Sequence, residues 1–471
     1  VERRTTFDSA HWLNVGLIAA ALIAALAIAR LPLIPLVALI GGTALALVAL
    51  IEPMAGLALT LVVAPLAAYT NYMTGAVLRP LDVGQVMMGL PLGAWLLRGL
   101  ARREIRVPIA PPPGGGLRLI WPLVVFVGWA AVSLLWAPSF EYAVPEVIKW
   151  TEVILLMLIV AEAGKKRMGW VIAGVLVSGI FQAALGVWQA RLRGIGPETF
   201  ELAEHVYRAY GSFEQPNPYA GYIGLIWPVV AGLLVAQISN LKHLHLRCAP
   251  AQVQVSQISK GILRPATCAL PLAACVLLLV SALVFSWSRG AWLGALAAAA
   301  VMTAALPRRM WLGVGGVALA IAVLLSANAI GLLPGAIRAR LTDFTQQAQV
   351  YDVRGVGIND ANYAVLERLA HWQVAGEMIR YHPWTGVGFS NYEPVYSQYA
   401  LMNWPLALGH AHNYYLNVAA ELGVPGLVFY ALLWGAIFWQ TARALRRGSG
   451  WERGLALGLL GAWTHLSVHH L

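Results

Sequence analysis

Charge is scarce in this sequence. Of its 471 residues, 11% are charged and 59% are hydrophobic, against roughly 25% charged in ordinary soluble domains. That excludes a soluble globular chain. Aspartate is rarer still, with five in all. No D-x-D or H-E-x-x-H occurs, so the paired carboxylates that often hold Mg²⁺ or Mn²⁺ in nucleotide-sugar transferases are missing. Cysteine is limited to Cys248, Cys268 and Cys275, with no C-x-x-C pair. Free thiols are expected, with no disulfide or metal role. No basic stripe interleaves with aromatic residues, so the net charge of +11 is not the footprint of a nucleic-acid binder.

What is present is apolar sequence in runs near the length that spans about 30 Å of hydrocarbon. The runs predict an all-α, polytopic transmembrane bundle of about 12–13 spans. Thirteen crossings are read, near 12–29, 31–50, 54–69, 82–97, 119–137, 145–162, 169–190, 219–238, 267–286, 290–306, 310–327, 413–439 and 454–471. Residues 1–118 form an N-terminal group of helices and 119–471 the main domain. The first run follows Arg3-Arg4 and is succeeded at once by another, as in a retained span and not a cleaved signal. The chain begins at Val1 and ends within the apolar Leu466-Ser467-Val468-His469-His470-Leu471, as a sequence lacking a last helix would.

Lys and Arg set the expected orientation. With the N-terminus cytoplasmic, 20 of the 32 basic residues fall on inner segments, where they also attract anionic membrane lipids. Of the twelve that remain outside, eleven are Arg. Arginine grips phosphate through a planar fork, so an anionic substrate on the outer side is expected. The outer loop 328–412 is long enough to be functional. Within it Val365, Leu369, Trp372, Gly376 and Ile379 recur at helical spacing. An amphipathic helix is predicted there, ending before Pro383 because the residue preceding proline avoids the helical region.

Four polar clusters fall on the outer side. The first is Arg208 ahead of Gly211 and Pro216-Asn217-Pro218, where Asn217 is expected to cap a helix begun by Pro218. Capping leaves Arg208 unexplained. The second is Ser286-Trp287-Ser288-Arg289-Gly290-Ala291-Trp292, whose arginine would ordinarily snorkel to the interface. The third is Arg368 with His371 and Trp372, followed by His382-Pro383-Trp384-Thr385-Gly386-Val387-Gly388; charges on such a helix ordinarily face solvent. The fourth is Gly409-His410-Ala411-His412-Asn413. Two histidines two apart point toward metal, but with no third ligand nearby a metal-free, cofactor-free mechanism fits better. Helices starting near Asn217, Gly290 and Asn413 would turn their N-termini outward, each carrying roughly half a positive charge. With Arg208, Arg289 and Arg368 they would cradle a pyrophosphate, provided the clusters meet in space. The helix end would also keep the His412 ring neutral and able to accept a proton.

These motifs together resemble the O-antigen ligase/polymerase family of membrane glycosyltransferases. The resemblance rests on the long outer loop and on His412-Asn413 followed, after nine residues, by Gly423-Val424-Pro425-Gly426. The other three clusters reinforce it, and it covers roughly residues 120–471. It implies that His412 is the catalytic histidine, and that Arg208 and Arg368 hold the diphosphate of an undecaprenyl-diphosphate-linked glycan, with Arg289 contributing. Asn217, Asn413 and His410 are read as substrate-binding residues beside them. It further implies about twelve spans, no metal, and a bacterial cytoplasmic (inner) membrane location with the active site facing the periplasm or cell exterior. The acceptor would be a glycolipid, as for a ligase, or a glycan, as for a polymerase; related members glycosylate proteins. Gly423 and Pro425-Gly426 read as packing and kink residues of the same span. From other classes, a small-anion transporter and a structural membrane subunit remain as alternatives.

Overall fold

The computed structural model describes residues 33–74, 83–102, 120–247 except 204 and 214, 255–332 except 308 and 309, 335, 352–359 and 362–471. The expected crossing at 12–29 lies outside the described residues. The rest is almost entirely helical. The helices are α1 (Leu33–Ile51), α2 (Pro53–Thr74), α3 (Val83–Arg102), α4 (Ile120–Val132) and α5 (Phe140–Arg191). After a short hairpin of β1 (Glu201–Ala203) and β2 (Val206–Tyr207) come α6 (Pro216–Arg247), α7 (Val255–Phe285), α8 (Arg289–Ala305) and α9 (Met310–Ala329). The chain closes with α10 (Tyr363–Tyr381), α11 (Tyr392–Tyr399), α12 (Tyr414–Arg447) and α13 (Gly450–His469).

The protein is an all-α membrane protein. Arg167–Arg191, Pro216–Ser239 and Tyr414–Arg447 are each long and apolar enough to cross a membrane. Shorter apolar helices accompany them. Large apolar side chains face outward around the bundle: Leu277 is 69% exposed on α7, Leu319 67% on α9 and Leu432 60% on α12. Water would penalise such a surface, whereas lipid tails solvate it.

The crossings read at 145–162 and 169–190 are two helices that meet within α5 at Gly164, where φ is +66°. A residue with a Cβ rarely adopts that conformation. Beside the break, Lys165 pairs with Glu452 at 2.6 Å and Arg167 with Glu52 at 3.6 Å, while Arg98 donates to the Ile51 carbonyl and Arg453 to that of Leu306. One end of the bundle is thus tied together through basic connections.

α13 is the helix around which the second half of the chain packs. It lies between α6 and α8, and glycines bring the backbones close. A Cβ at Gly454 would stand 2.6 Å from the Cβ of Ala236, and one at Gly458 2.6 Å from the Val229 backbone. Small residues at such spacing let membrane helices approach where no hydrophobic drive exists between them.

The segment between α9 and α12 holds the predicted helix, and α10 stops at Tyr381, with His382 in a non-helical conformation before Pro383. Its buried face differs from the expected one. Leu366, Ala370, His371, Val374, Ala375 and Met378 are buried, whereas Gly376 is exposed. The buried face lies one position along from the expected stripe, and Val374, Ala375 and Met378 share a cluster with Ala420 of α12.

α12 is broken at Gly423, at φ +68°. The break frees the carbonyls above it. Ala420 accepts from the Val387 N–H at 3.0 Å, Glu421 from Gly388 at 2.9 Å and Leu422 from the Trp129 indole at 2.9 Å. Val424 N–H in turn donates to the Pro383 carbonyl at 2.7 Å. The His382–Gly388 motif is therefore a strap hydrogen-bonded into a broken helix, and its glycines are structural. A Cβ on Gly423 would lie 2.7 Å from the Trp384 carbonyl carbon. Gly423→Ala is expected to destabilise the protein by about 1–3 kcal/mol, the usual cost of a residue forced into a sparse backbone region. Thermal unfolding in detergent should show a lowered midpoint, and an unchanged one would refute the strap's role.

Candidate active site

Arg208 is positioned from both sides. Before it, the hairpin holds its backbone, with Arg208 N–H donating to the Phe200 carbonyl. After it, Gly211 turns the chain at φ +57° so closely against α5 that a Cβ would stand 2.6 Å from Gln182 Oε1. Gln189 brackets the Gly211 peptide, accepting from its N–H and donating to its carbonyl, both at 2.7 Å. Gln182 accepts from Ser212 N–H at 3.0 Å. From this anchored turn the Arg208 guanidinium reaches two other elements. Nε donates to the Ser286 carbonyl at 2.9 Å and Nη2 to Asn217 Oδ1 at 3.2 Å. The first and second clusters therefore meet.

Arg289 opens α8 just after Ser286. Its charge acts on Arg368, whose pKa is lowered first by the surrounding protein and then by Arg289. Arg368 is exposed on α10. Its charge in turn acts on His410, His412 and His469. The third and fourth clusters join the first two.

His412 is half-buried, with its ring centroid 4.6 Å from that of His410 and 5.1 Å from that of His371. The pKa of His412 falls to about 3, because burial penalises the charged ring and His410, His371 and Arg368 repel its proton. The ring is neutral, as expected, but burial and neighbouring groups hold it so; the helix begins only at Tyr414. Its Nε2 is buried and has no hydrogen-bond partner among the described residues. His412 also has φ +54°, an uncommon conformation for a residue with a side chain. The turn is held there by Asn417, whose Oδ1 accepts from Ala411 N–H at 3.0 Å.

Two readings of the asparagines change. Asn413, expected to contact substrate, is the N-cap of α12, its Oδ1 accepting from Tyr415 N–H and Leu416 N–H at 3.0 and 3.1 Å. Asn217, expected to cap, lies inside a helix that starts at Pro216. Its Oδ1 orients Arg208 instead. Proline suits the first helical position because its missing N–H has no partner there anyway.

Three contributors were given no role from the sequence. His371 is 1% exposed. The Tyr392 hydroxyl donates to its carbonyl at 3.2 Å and lies 3.0 Å from its Nδ1. A hydroxyl has one proton to give, so Nδ1 carries the hydrogen of that second bond and the tautomer is fixed. Burial and then His410 lower the His371 pKa to about 4. Glu421, 5% exposed inside α12, accepts from Ser390 N–H at 2.9 Å and Tyr392 N–H at 3.3 Å. It thus fixes the segment that carries Tyr392. The last contributor is the end of α13. His469 packs against the starts of α6 and α8, and the His470 carbonyl accepts from Tyr414 N–H at 2.9 Å at the start of α12. Three histidines among residues 465–470 were the available signal.

Three helix N-termini, three arginines and a neutral histidine thus share one end of the bundle, an arrangement suited to an anion beside a proton acceptor. Residues 274–431 match the family model described as O-antigen ligase. Over that stretch the chain is similar to the O-antigen ligases, as its motifs indicated. The match contains Arg289, Arg368, His410, His412 and Asn413; Arg208, Asn217 and α13 lie outside it. No curated protein matches the chain.

Proposed function

We propose that the protein is a membrane glycosyltransferase that moves a glycan from an undecaprenyl-diphosphate carrier to an acceptor hydroxyl, in the manner of an O-antigen ligase. The observation that carries this reading is the meeting of Arg208, Arg289 and Arg368 beside His412. The O-antigen ligase match supports it. The cluster would work at the extracytoplasmic face of a bacterial inner membrane, where lipid-linked glycans are presented.

In this mechanism the arginines and helix N-termini bind the diphosphate. An acceptor O–H gives its proton to Nε2 of His412 as its oxygen bonds to the anomeric carbon from the side opposite the leaving group. The bond from that carbon to the diphosphate oxygen breaks, and its electron pair leaves with the lipid diphosphate. Inversion at the anomeric carbon follows. A base of pKa about 3 is weak, since proton transfer is best served by a pKa near the working pH. The donor corrects this. Its two negative charges offset Arg368, one of the charges that depress His412, so the base strengthens when the donor is bound.

The test is transfer by purified protein from undecaprenyl-diphosphate-linked glycan, with lipid A–core and a second glycan repeat as competing acceptors. Glycan on the first indicates a ligase and on the second a polymerase; no transfer to either would overturn the reading. The pH profile gives a second check. A base acts in its unprotonated form, above its pKa, and kcat/KM reports the free enzyme. The donor diphosphate, esterified at both ends, does not titrate near neutrality. With His412 at about 3, kcat/KM should stay level from pH 8 down to about 5. A fall centred near the usual histidine value of about 6.5 would remove His412 as the base.

A further inference from the structure

Two residues beside the site stand at backbone angles that side chains rarely adopt, Ser390 at φ +56° and His412 at φ +54°. Such conformations persist only where the surroundings over-determine them. Both trace to one carboxylate. Glu421, 5% exposed inside α12, accepts from Ser390 N–H at 2.9 Å and from Tyr392 N–H at 3.3 Å. It also accepts from the side chain of Asn417, which lies one helical turn earlier and is itself buried.

The Asn417 contact decides which way that amide points. A carboxylate only accepts, so Asn417 turns its NH₂ toward Glu421. Its Oδ1 is then left for the N–H of Ala411, 3.0 Å away, on the peptide just before His412. On the other side, the Tyr392 that Glu421 anchors holds His371. The His371 ring stands edge-on to that of His412, with 5.1 Å between centroids. One carboxylate thus reaches His412 through its backbone and through its neighbour. An ionisable group inside a membrane helix is costly, and a glutamine would offer one acceptor oxygen where three donors converge. We infer that Glu421 is a positioning residue for the proposed reaction, orienting His412 through Asn417 on one side and through Tyr392 and His371 on the other. This inference rests on His412 as the base.

The experiment compares Glu421→Gln and Asn417→Ala with the unsubstituted full chain in lipid nanodiscs. One readout is transfer from undecaprenyl-diphosphate-linked glycan. The other is the NMR titration of His412 in protein with labelled histidine, its signal assigned by its loss in His412→Ala. Burial, and then His410, His371 and Arg368, keep the ring neutral in the intact turn. Freed from that turn, the ring gains solvent and should titrate near the ordinary value of about 6.5. Each variant should lose kcat by about 10²-fold, as a misplaced group does, with the donor KM unchanged. Its kcat/KM should now fall below about pH 6.5 instead of staying level. A lowered unfolding midpoint with an unmoved His412 titration would assign Glu421 to packing and overturn the inference, as would unchanged kcat in both variants. If the unsubstituted protein transfers nothing while the titration still moves in the variants, the donor reading fails and Glu421 still positions His412.

Discussion

Replacing His412 with alanine is expected to lower glycan transfer by about 10²–10⁴-fold, the usual contribution of a positioned general base, and to leave donor binding intact. The separation follows from the geometry. His412 carries no charge to offer a diphosphate, because burial and its neighbours hold its pKa near 3. In the proposed mechanism donor affinity comes from the arginines, and Arg208 and Arg289 reach the site from other elements. Alanine keeps the Cβ at the backbone position of φ +54° and leaves the cap, which belongs to Asn413, undisturbed. The fold should therefore survive. His412→Ala with undiminished transfer would exclude the ring as base. Lost transfer accompanied by lost donor binding would assign it to substrate contact instead.

How much of this was legible depended on the kind of signal. The helices announced themselves because lipid leaves a long apolar run few alternatives. The three helix starts fell within two residues of the expected positions, since Pro216 and Asn413 mark two of them chemically. The clusters were legible as residue types, but sequence alone did not bring them together. Their convergence depends on Gly211 turning against two glutamines of α5 and on α13 inserting its end between α6 and α8. Both are long-range packing events with no local signature. The same limit explains the glycines of Gly386-Val387-Gly388. A local reading sees a flexible loop, whereas the structure shows a strap whose N–H groups need the carbonyls freed by Gly423, far along the chain. Asn217 was read as a cap and orients Arg208 instead, while the cap of α12 is Asn413. An asparagine beside a helix start serves equally well as a cap or as a hydrogen-bonding arm, and only its neighbours decide which.

Arg208→Lys should be nearly as damaging as the loss of His412, although charge is conserved. The Arg208 guanidinium donates from Nε to the Ser286 carbonyl and from Nη2 to Asn217 Oδ1. These bonds join the turn before α6 to the turn before α8, and they hold the planar group in one orientation beside the other two arginines. A lysine ammonium has no fork, so it cannot bond two fixed acceptors in that geometry and still present a paired donor face to phosphate. If Arg208 acts as proposed, the lysine variant should lose transfer by about 10²-fold or more, as when one preorganised charge-stabilising donor is removed. The loss should exceed that of Arg289→Lys. Among the described residues Arg289 has no pair of fixed acceptors like those of Arg208, and a point charge there still supplies much of the field. Steady-state transfer at matched donor concentration compares the two variants. Near-normal activity in Arg208→Lys would mean that the site needs only positive charge, and the oriented cradle would have to be abandoned.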